Sequence, residues 1–303
     1  MIRVVYITGF GRSGSTVLNI TLGQHEDVIA TGELGNLSRR VWHNDEFCSC
    51  GVRVRSCPFW STAVGNMAER VDTPLERLRT LQSRYESLAF MVATVQGWPV
   101  RTGRFRDYRE LTLQSLEAVR SISGRPIVVD SSKLPTRAFA LSLIPEIDLR
   151  VVHLVRDGRG VAWSLRKPYA KDEQAGFERA LAPRPVLRTA LRWATMNLAA
   201  EQVCRRLGAR RSLRVRYEDF VTDPRAALRT IGETISVDLT EVGERLVTGA
   251  PFDPGHQVAG NQLRMSRAIK LQFDQEWTTK MPGRQKALFQ SVCGPLQRRY
   301  GYT

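Results

Sequence analysis

The chain of 303 residues carries 45 Lys+Arg against 30 Asp+Glu, a formal net charge of +15, with 42% hydrophobic and 25% charged residues. That balance excludes wholesale disorder, collagen and coiled coil, and no apolar run approaches the roughly 18 residues of a membrane span. Arg outnumbers Lys 39 to six, which suits an anionic partner without naming it, and five cysteines are too few for a disulfide scaffold.

The first residues, MIRVVYIT, read directly as a buried strand over 2–8, so no secretory leader and a cytoplasmic location are expected. GFGRSGST, Gly9 to Thr16, follows as a loop, then a short helix through VLNITLG. Residues 28–31 suit a short strand and GELGNLSRRVW a helix. The stretch 44–62 reads as irregular, and 74–95 and 107–121 as helical. PIVVD, ending at Asp130, is a strand leading into a turn and helix, SSKLPTRAFALSLI. Residues 148–157 form a strong strand before the helix GRGVAWSLR. The charged, Pro- and Gly-containing segment 166–186 reads as a long loop or lid, and 187–207 as an amphipathic helix. RSLRVRYEDF is expected to be a strand running to Phe220, with a helix in DPRAALRTIG, an ordered loop over 249–268 and a final helix.

Repeated strand–helix units imply an α/β fold: three layers, α/β/α, around a central parallel sheet. No repeat or linker divides the chain, so a single domain over 1–303 is expected, with 34–125 and 166–210 as helical and loop insertions. In such sheets ligands bind beyond the carboxyl ends of the strands.

Gly9 to Thr16 is the sharpest local feature. Its glycines permit a tight turn with inward amides, and the following helix start favours an anion. Ser13, Ser15 and Thr16 supply hydroxyls and Arg12 a fork. The glycine spacing matches the ATPase pattern GxxxxGK[ST], but Ser15 stands where that pattern has Lys. The loop therefore suits a phosphate-like anion better than ordinary ATP hydrolysis.

GRSGST after the first strand resembles the 5′-phosphosulfate loop of sulfotransferases that use 3′-phosphoadenosine 5′-phosphosulfate (PAPS). Arg156 and Ser164, eight residues apart in RDGRGVAWS, resemble the family's pair for the cofactor's 3′-phosphate. GHQVAGNQLR, residues 255–264, is similar to the segment that closes over the adenosine, with His256, Gly260, Asn261 and Arg264 as the contacts. The resemblance runs from residue 3 to about 268 and is similar to bacterial, tyrosylprotein-type and carbohydrate-type members. It implies a P-loop-like fold, with Gly11, Arg12, Ser13, Gly14, Ser15 and Thr16 on PAPS, and 3′-phosphoadenosine 5′-phosphate (PAP) as product.

Sulfuryl transfer needs a base for the acceptor hydroxyl, cations for the shifting charge, and a neutralised leaving phosphate. Glu33, just after the second strand, resembles the glutamate base of tyrosylprotein-type members; a histidine is the other reading, with His25, His43, His153 and His256 available. His153, inside VVHLV, reads as packed. Lys133 follows a strand end and resembles the family lysine that reaches the transferring group; Asp130 and Ser131 either orient it or cap the next helix. Arg12 is expected to balance the phosphosulfate charge. The scheme requires no metal.

Cys48, Cys50 and Cys57 form C-x-C-G-x5-C. Zinc, a disulfide and reduced packing thiols all stay open; His43, Asp45 or Cys204 could complete a metal set. Acceptor specificity is expected in 34–62, around Tyr85 to Arg109, and in 166–186. Trp42, Phe59 and Trp60 could wall the acceptor, and Tyr85, Phe90, Trp98, Phe105, Tyr108, Trp163, Tyr169 and Phe177 either line it or fill core. The resemblance implies a hydroxyl-bearing small-molecule, carbohydrate or phenolic acceptor, with an acidic one allowed. No nucleic acid or stable membrane insertion is expected, and the protein is a monomer or homodimer. A P-loop kinase-like phosphotransferase and a polyanion- or nucleic-acid-binding module are the competing classes.

Overall fold

The computed structural model describes residues 1–100, 102–168, 170–173, 180, 182–266, 269, 271 and 273–303. Five parallel strands form one sheet in the order β2-β3-β1-β4-β5: β1 (Ile2–Thr8), β2 (Val28–Ala30), β3 (Ile127–Lys133), β4 (Ile147–Val155) and β5 (Ser212–Arg216). Helix α1 (Ser15–Leu22) links β1 to β2. Between β2 and β3 lie α2 (Pro58–Ala68), α3 (Pro74–Tyr85), α4 (Leu88–Val95) and α5 (Thr102–Ser123). Helix α6 (Pro135–Leu141) precedes β4, and α7 (Gly158–Ser164) and α8 (Val186–Leu207) precede β5. The chain ends through α9 (Tyr217–Thr222), α10 (Pro224–Ile235), α11 (Thr240–Thr248), α12 (Glu276–Lys280) and α13 (Gly283–Arg299).

The period-2 geometry of strands builds the layers. Val4 and Tyr6 of β1 join Val128, Leu149 and Val151 in a core closed by α2, α3, α5 and α6. Val5 and Ile7 face the other way, packing with Val129, Val152 and Leu154 under α1, α10 and α11. A third cluster, with Val155, Val161, Trp193 and Phe289, joins α7, α8 and α13 beyond the end of β4. The chain crosses β1 on its way from β3 to β4, so the carboxyl ends of these three central strands form a topological switch point.

Several local expectations change. β5 stops at Arg216 rather than running to Phe220, because Glu218 and Asp219 occupy the first turn of α9, where helices favour acids. The segment read as irregular ends in the first turn of α2, which Pro58 starts and which carries Phe59, Ala63, Val64 and Met67 on its buried side. The helix over 74–95 is two: Ser87 interrupts it, and its Oγ caps α4 by accepting from Phe90 N at 3.1 Å. GELGNLSRRVW yields only a short π-helical turn, Leu37–Val41. A helix unread in the sequence spans Thr240–Thr248.

No helix among the described residues is long and apolar enough to cross a membrane.

Candidate active site

The loop after β1 is shaped by its glycines. Gly9 has φ 139°, and a Cβ there would run into the Leu154 carbonyl. Gly14, at φ 87°, caps α1 with the Tyr217 ring against it, leaving no room for a side chain. No side chain caps the α1 amino terminus, where Gly14, Ser15 and Thr16 border a cleft. Ser13 Oγ is buried without a hydrogen-bond partner. Arg12, at φ 70°, holds the strained left-handed conformation.

This loop floors a cleft of about 460 Å³. Gly11, Arg12, Gly14, Ser15, Thr16, Glu33, Lys133, Arg156, Ser164, Gly260, Asn261 and Arg264 all border it. Residues separated by most of the chain are thus gathered at one sheet edge. Ser13 sits behind the loop, and His256 is placed elsewhere.

Glu33 is 8% exposed and forms an ion pair with Lys133 through Oε1; Asn36 Nδ2 donates to its other oxygen at 2.5 Å. The backbone sets this position. Glu33 N donates to Val258 O at 2.8 Å, and Val258 N to Thr31 O at 3.0 Å. Lys133 has φ 68°, and its carbonyl accepts from Gly9 N at 3.2 Å and Thr8 Oγ1 at 3.1 Å, joining the end of β3 to the glycine loop.

Asp130 and Ser131 do not contact the Lys133 ammonium. Asp130 accepts from Arg137 Nε at 2.9 Å and from Ser132 Oγ at 2.5 Å; Ser132 Oγ in turn accepts from Gly35 N at 2.8 Å. Ser131 N donates to Gly32 O at 2.7 Å. Both residues tie β3 to the Glu33 loop instead. Arg137 continues inward to Glu86 at 2.5 Å, and Tyr108 OH donates to the same carboxylate at 2.9 Å. Burial pushes the Tyr108 phenol well up, reinforced by the Glu86 charge.

Arg156 lies just beyond β4, over the Tyr217 ring at 4.8 Å, and donates to Arg12 O at 2.9 Å. Its other nitrogen pairs with Asp274 at 3.0 Å. Ser164 lies one α7 length further on, at the same cleft.

The segment 255–264 straps across the top. Asn261 N donates to Thr16 Oγ1 at 3.2 Å, Gly260 has φ 95°, and the fully buried Arg264 donates to Phe47 O at 3.4 Å. His256 departs from its expected place on the adenosine side: Phe59 stacks on its ring at 5.1 Å, and its Nδ1 faces Cys57 Sγ at 3.3 Å. Cys48, beside Cys57, and His256 hold the Cys57 thiol well below its ordinary value.

Three arginines outside the sequence motifs, Arg40, Arg184 and Arg192, also border the cavity. Burial and neighbouring Arg192, Arg188 and Arg12 lower the Arg184 pKa, the mark of crowded cations. Tyr217 packs against Gly14 and Arg156 at the cleft wall. Helical spacing from Arg188 to Arg192 was the available signal.

None of the four histidines borders the cleft. His153 is buried, its Nε2 2.9 Å from Asn197 Oδ1, and burial lowers its pKa to about 4. The aromatic residues mostly fill core. Tyr85, Phe90, Phe105 and Tyr108 pack on one another, Trp60 is fully buried, and Trp98 is exposed but away from the cavity. Tyr169 and Phe177 lie outside the described residues.

A family model described as "Sulfotransferase family" matches residues 5–241. No curated protein matches the chain. The solved sulfotransferase domain from the curacin biosynthetic pathway is 16% identical with a TM-score of 0.54, covering 100% of this chain and 99% of that one. Sulfotransferase STF9 from Mycobacterium avium is 13% identical with a TM-score of 0.51, covering 100% of this chain and 78% of that one. At such identities the likeness is one of fold. The sulfotransferase domain of the Synechococcus PCC 7002 olefin synthase is 21% identical with a TM-score of 0.49, covering 95% and 94%.

Proposed function

The chain belongs to the sulfotransferase family, and on that premise we propose that it moves a sulfuryl group from PAPS to an acceptor hydroxyl, with Glu33 as the base. The observation that carries this reading is the Glu33–Lys133 ion pair, held at the same cleft as the glycine loop, Arg156 and Ser164.

The residues present suit such a donor. The uncapped α1 terminus, Ser15, Thr16 and Arg12 would hold the 5′-phosphosulfate, and Arg156 with Ser164 the 3′-phosphate. Gly260, Asn261 and Arg264 would close over the nucleoside, with Gly11, Ser13 and Gly14 shaping the floor. Bound there, the donor supplies an activated sulfuryl group on a phosphate leaving group. His256 has no part in this reading, because its ring is occupied by Phe59 and the cysteines.

Glu33 takes the acceptor's hydroxyl proton onto its carboxylate as the acceptor oxygen bonds to sulfur. Lys133 leaves its pairing with Glu33 to meet the oxygen that gains charge when the sulfur–oxygen bridge breaks. Arg12 balances the remaining charge. Arg184 and Arg192 add positive potential beyond what the donor contacts use, while Arg40 is paired with Glu46; this favours an acceptor carrying its own acidic group.

The deciding experiment supplies PAPS and a panel of neutral and acidic hydroxyl compounds and seeks, by mass spectrometry, products heavier by one SO3 group. Binding of ATP–magnesium in preference to PAP would overturn the reading in favour of phosphotransfer.

A further inference from the structure

Away from the cleft, the structure brings one remote histidine to three cysteines that the sequence clusters. Cys48, Cys50, Cys57 and His256 offer three sulfurs and an imidazole nitrogen whose ligand atoms all lie within 4.8 Å of one another. Cys57 Sγ is 3.6 Å from Cys50 Sγ, 3.7 Å from Cys48 Sγ and 3.3 Å from His256 Nδ1, and Cys48 Sγ is 3.9 Å from that nitrogen. A tetrahedral zinc with bonds of about 2.3 Å to sulfur and 2.0–2.1 Å to nitrogen sets sulfur–sulfur edges of about 3.8 Å and sulfur–nitrogen edges of about 3.6 Å. The observed separations cluster around both values. A disulfide would need two sulfurs at about 2.05 Å and would leave one thiol and the imidazole over. Here Cys57 is almost equally distant from both other sulfurs.

We propose that these four side chains form a structural zinc site. Four protein ligands fill a tetrahedral shell and leave no open position, the pattern of structural rather than catalytic zinc. The C-x-C spacing is shorter than usual, and the chain compensates with a tight turn: Gly51, at φ 91°, donates its N–H to Cys48 O at 3.0 Å, and Cys48 N donates to Val52 O at 2.9 Å. This turn aims both thiols at Cys57. Surrounding groups set the ligands as in other zinc centres. The Phe59 ring lies parallel to the His256 imidazole, within 5°, and Trp60 Nε1 donates to His256 O at 2.7 Å, so the ring is fixed without the metal. The partners expected from the sequence are not used: His43 is exposed, Asp45 Oδ1 accepts from Arg55 N at 3.0 Å, and Cys204 lies on α8.

The site's consequence is mechanical. It joins the 46–57 segment to the strap whose continuation, Gly260 to Arg264, borders the cleft. Ser49 reinforces the seam, with its Oγ accepting from Gln257 N at 2.6 Å and donating to Gly255 O at 2.7 Å. The metal would hold the strap in register from outside the reacting centre. The inference stands without the sulfuryl-transfer reading.

The test measures metal on the full chain, purified under reducing conditions and dialysed against metal-free buffer. About one equivalent of zinc by elemental mass spectrometry is expected, released when a mercurial titrates the thiols. Cobalt(II) replacing the zinc should give intense visible bands and sulfur-to-metal charge transfer, the signature of a tetrahedral thiolate site. Cys50→Ser and His256→Ala should each lower zinc content at least roughly tenfold at equal chelator, while Cys204→Ser retains it. Should the variants fail to fold, the cobalt spectrum of the unaltered chain decides alone. Chelation should speed amide exchange in 255–264 while leaving β1 and β4 protected. A chain that holds no zinc even after incubation with the free ion, a weak octahedral cobalt spectrum, or a Cys50–Cys57 disulfide found by peptide mapping would each overturn the proposal.

Discussion

Glu33 and Lys133, 100 residues apart in the chain, form an ion pair at the carboxyl edge of the sheet. Two backbone devices make the meeting possible. The Glu33 loop is pinned by Val258 and by Ser131 N–H to Gly32 O, and Lys133 turns toward it through a left-handed φ of 68°.

Glu33→Gln keeps the shape and the Asn36 contact but removes the proton acceptor. Turnover should fall about 10²- to 10⁴-fold while PAP binding stays close to that of the unaltered enzyme. Stopped sulfuryl transfer with normal calorimetric PAP binding is the expected pair of results. Turnover retained within a few-fold would reject Glu33 as the base.

Lys133 carries backbone strain as well as charge. Lys133→Ala and Lys133→Gly both lose the ammonium, so both should lose turnover. They should differ in stability: glycine accepts φ 68° freely, and the Gly variant should be more stable than the Ala variant by about 1–2 kcal/mol. Urea denaturation of the two proteins checks this, and equal midpoints would show that the strain is not stored at this residue.

Arg156 faces a choice between ligand and protein. Arg156→Ala removes charge-assisted contacts worth about 1.5–3 kcal/mol, so PAP should bind about 10- to 150-fold more weakly. Asp274 competes for the same guanidinium at 3.0 Å with its own side chain 40% exposed. Asp274→Asn should therefore tighten PAP binding modestly, by about two- to fivefold. Calorimetry on both variants tests the pair; weaker binding by Asp274→Asn would show that this carboxylate supports the site rather than competes for it.

Acid sensitivity should be concentrated in His153. Burial lowers its pKa from 6.5 unfolded to about 4 folded, so the native state binds fewer protons. Its contribution is complete above pH 6.5, erodes as pH falls toward 4, and amounts to about 3 kcal/mol across that window. His153→Gln should flatten this part of the stability–pH curve, measured by urea denaturation between pH 7.5 and 4.5. An unchanged slope would place the acid sensitivity elsewhere.

The legible parts of the site were those where chemistry is written within a few residues. Gly9 to Thr16 reads as a candidate anion loop because glycine spacing and a following helix are local properties, and Arg156 with Ser164 spans one strand end and one short helix. The continuous apolar strands announced the parallel sheet for the same reason. Illegible were contacts that depend on which helix packs where. Arg184 and Arg192 reach the cleft only because α8 crosses the end of β4, and Tyr217 reaches it only because β5 stops at Arg216 and the chain turns helical. Of the aromatic residues left between acceptor wall and core, Tyr85, Phe90, Phe105 and Tyr108 pack on one another in the core, while Trp98 is exposed.

The charge and the cysteines divide along the same line. By itself the sequence determined a basic α/β chain with an anion loop, a distant Arg–Ser pair and a candidate base, since each follows from residue type and short spacing. Only the tertiary structure decided that Glu33 meets Lys133, that Arg40, Arg184 and Arg192 border the same cleft, and that the fourth partner of the three clustered cysteines is His256, 199 residues beyond Cys57. The reason is physical: ligand shells and ion pairs are fixed by distances of a few ångströms, and only the packing of sheet, helices and strap brings such remote residues that close.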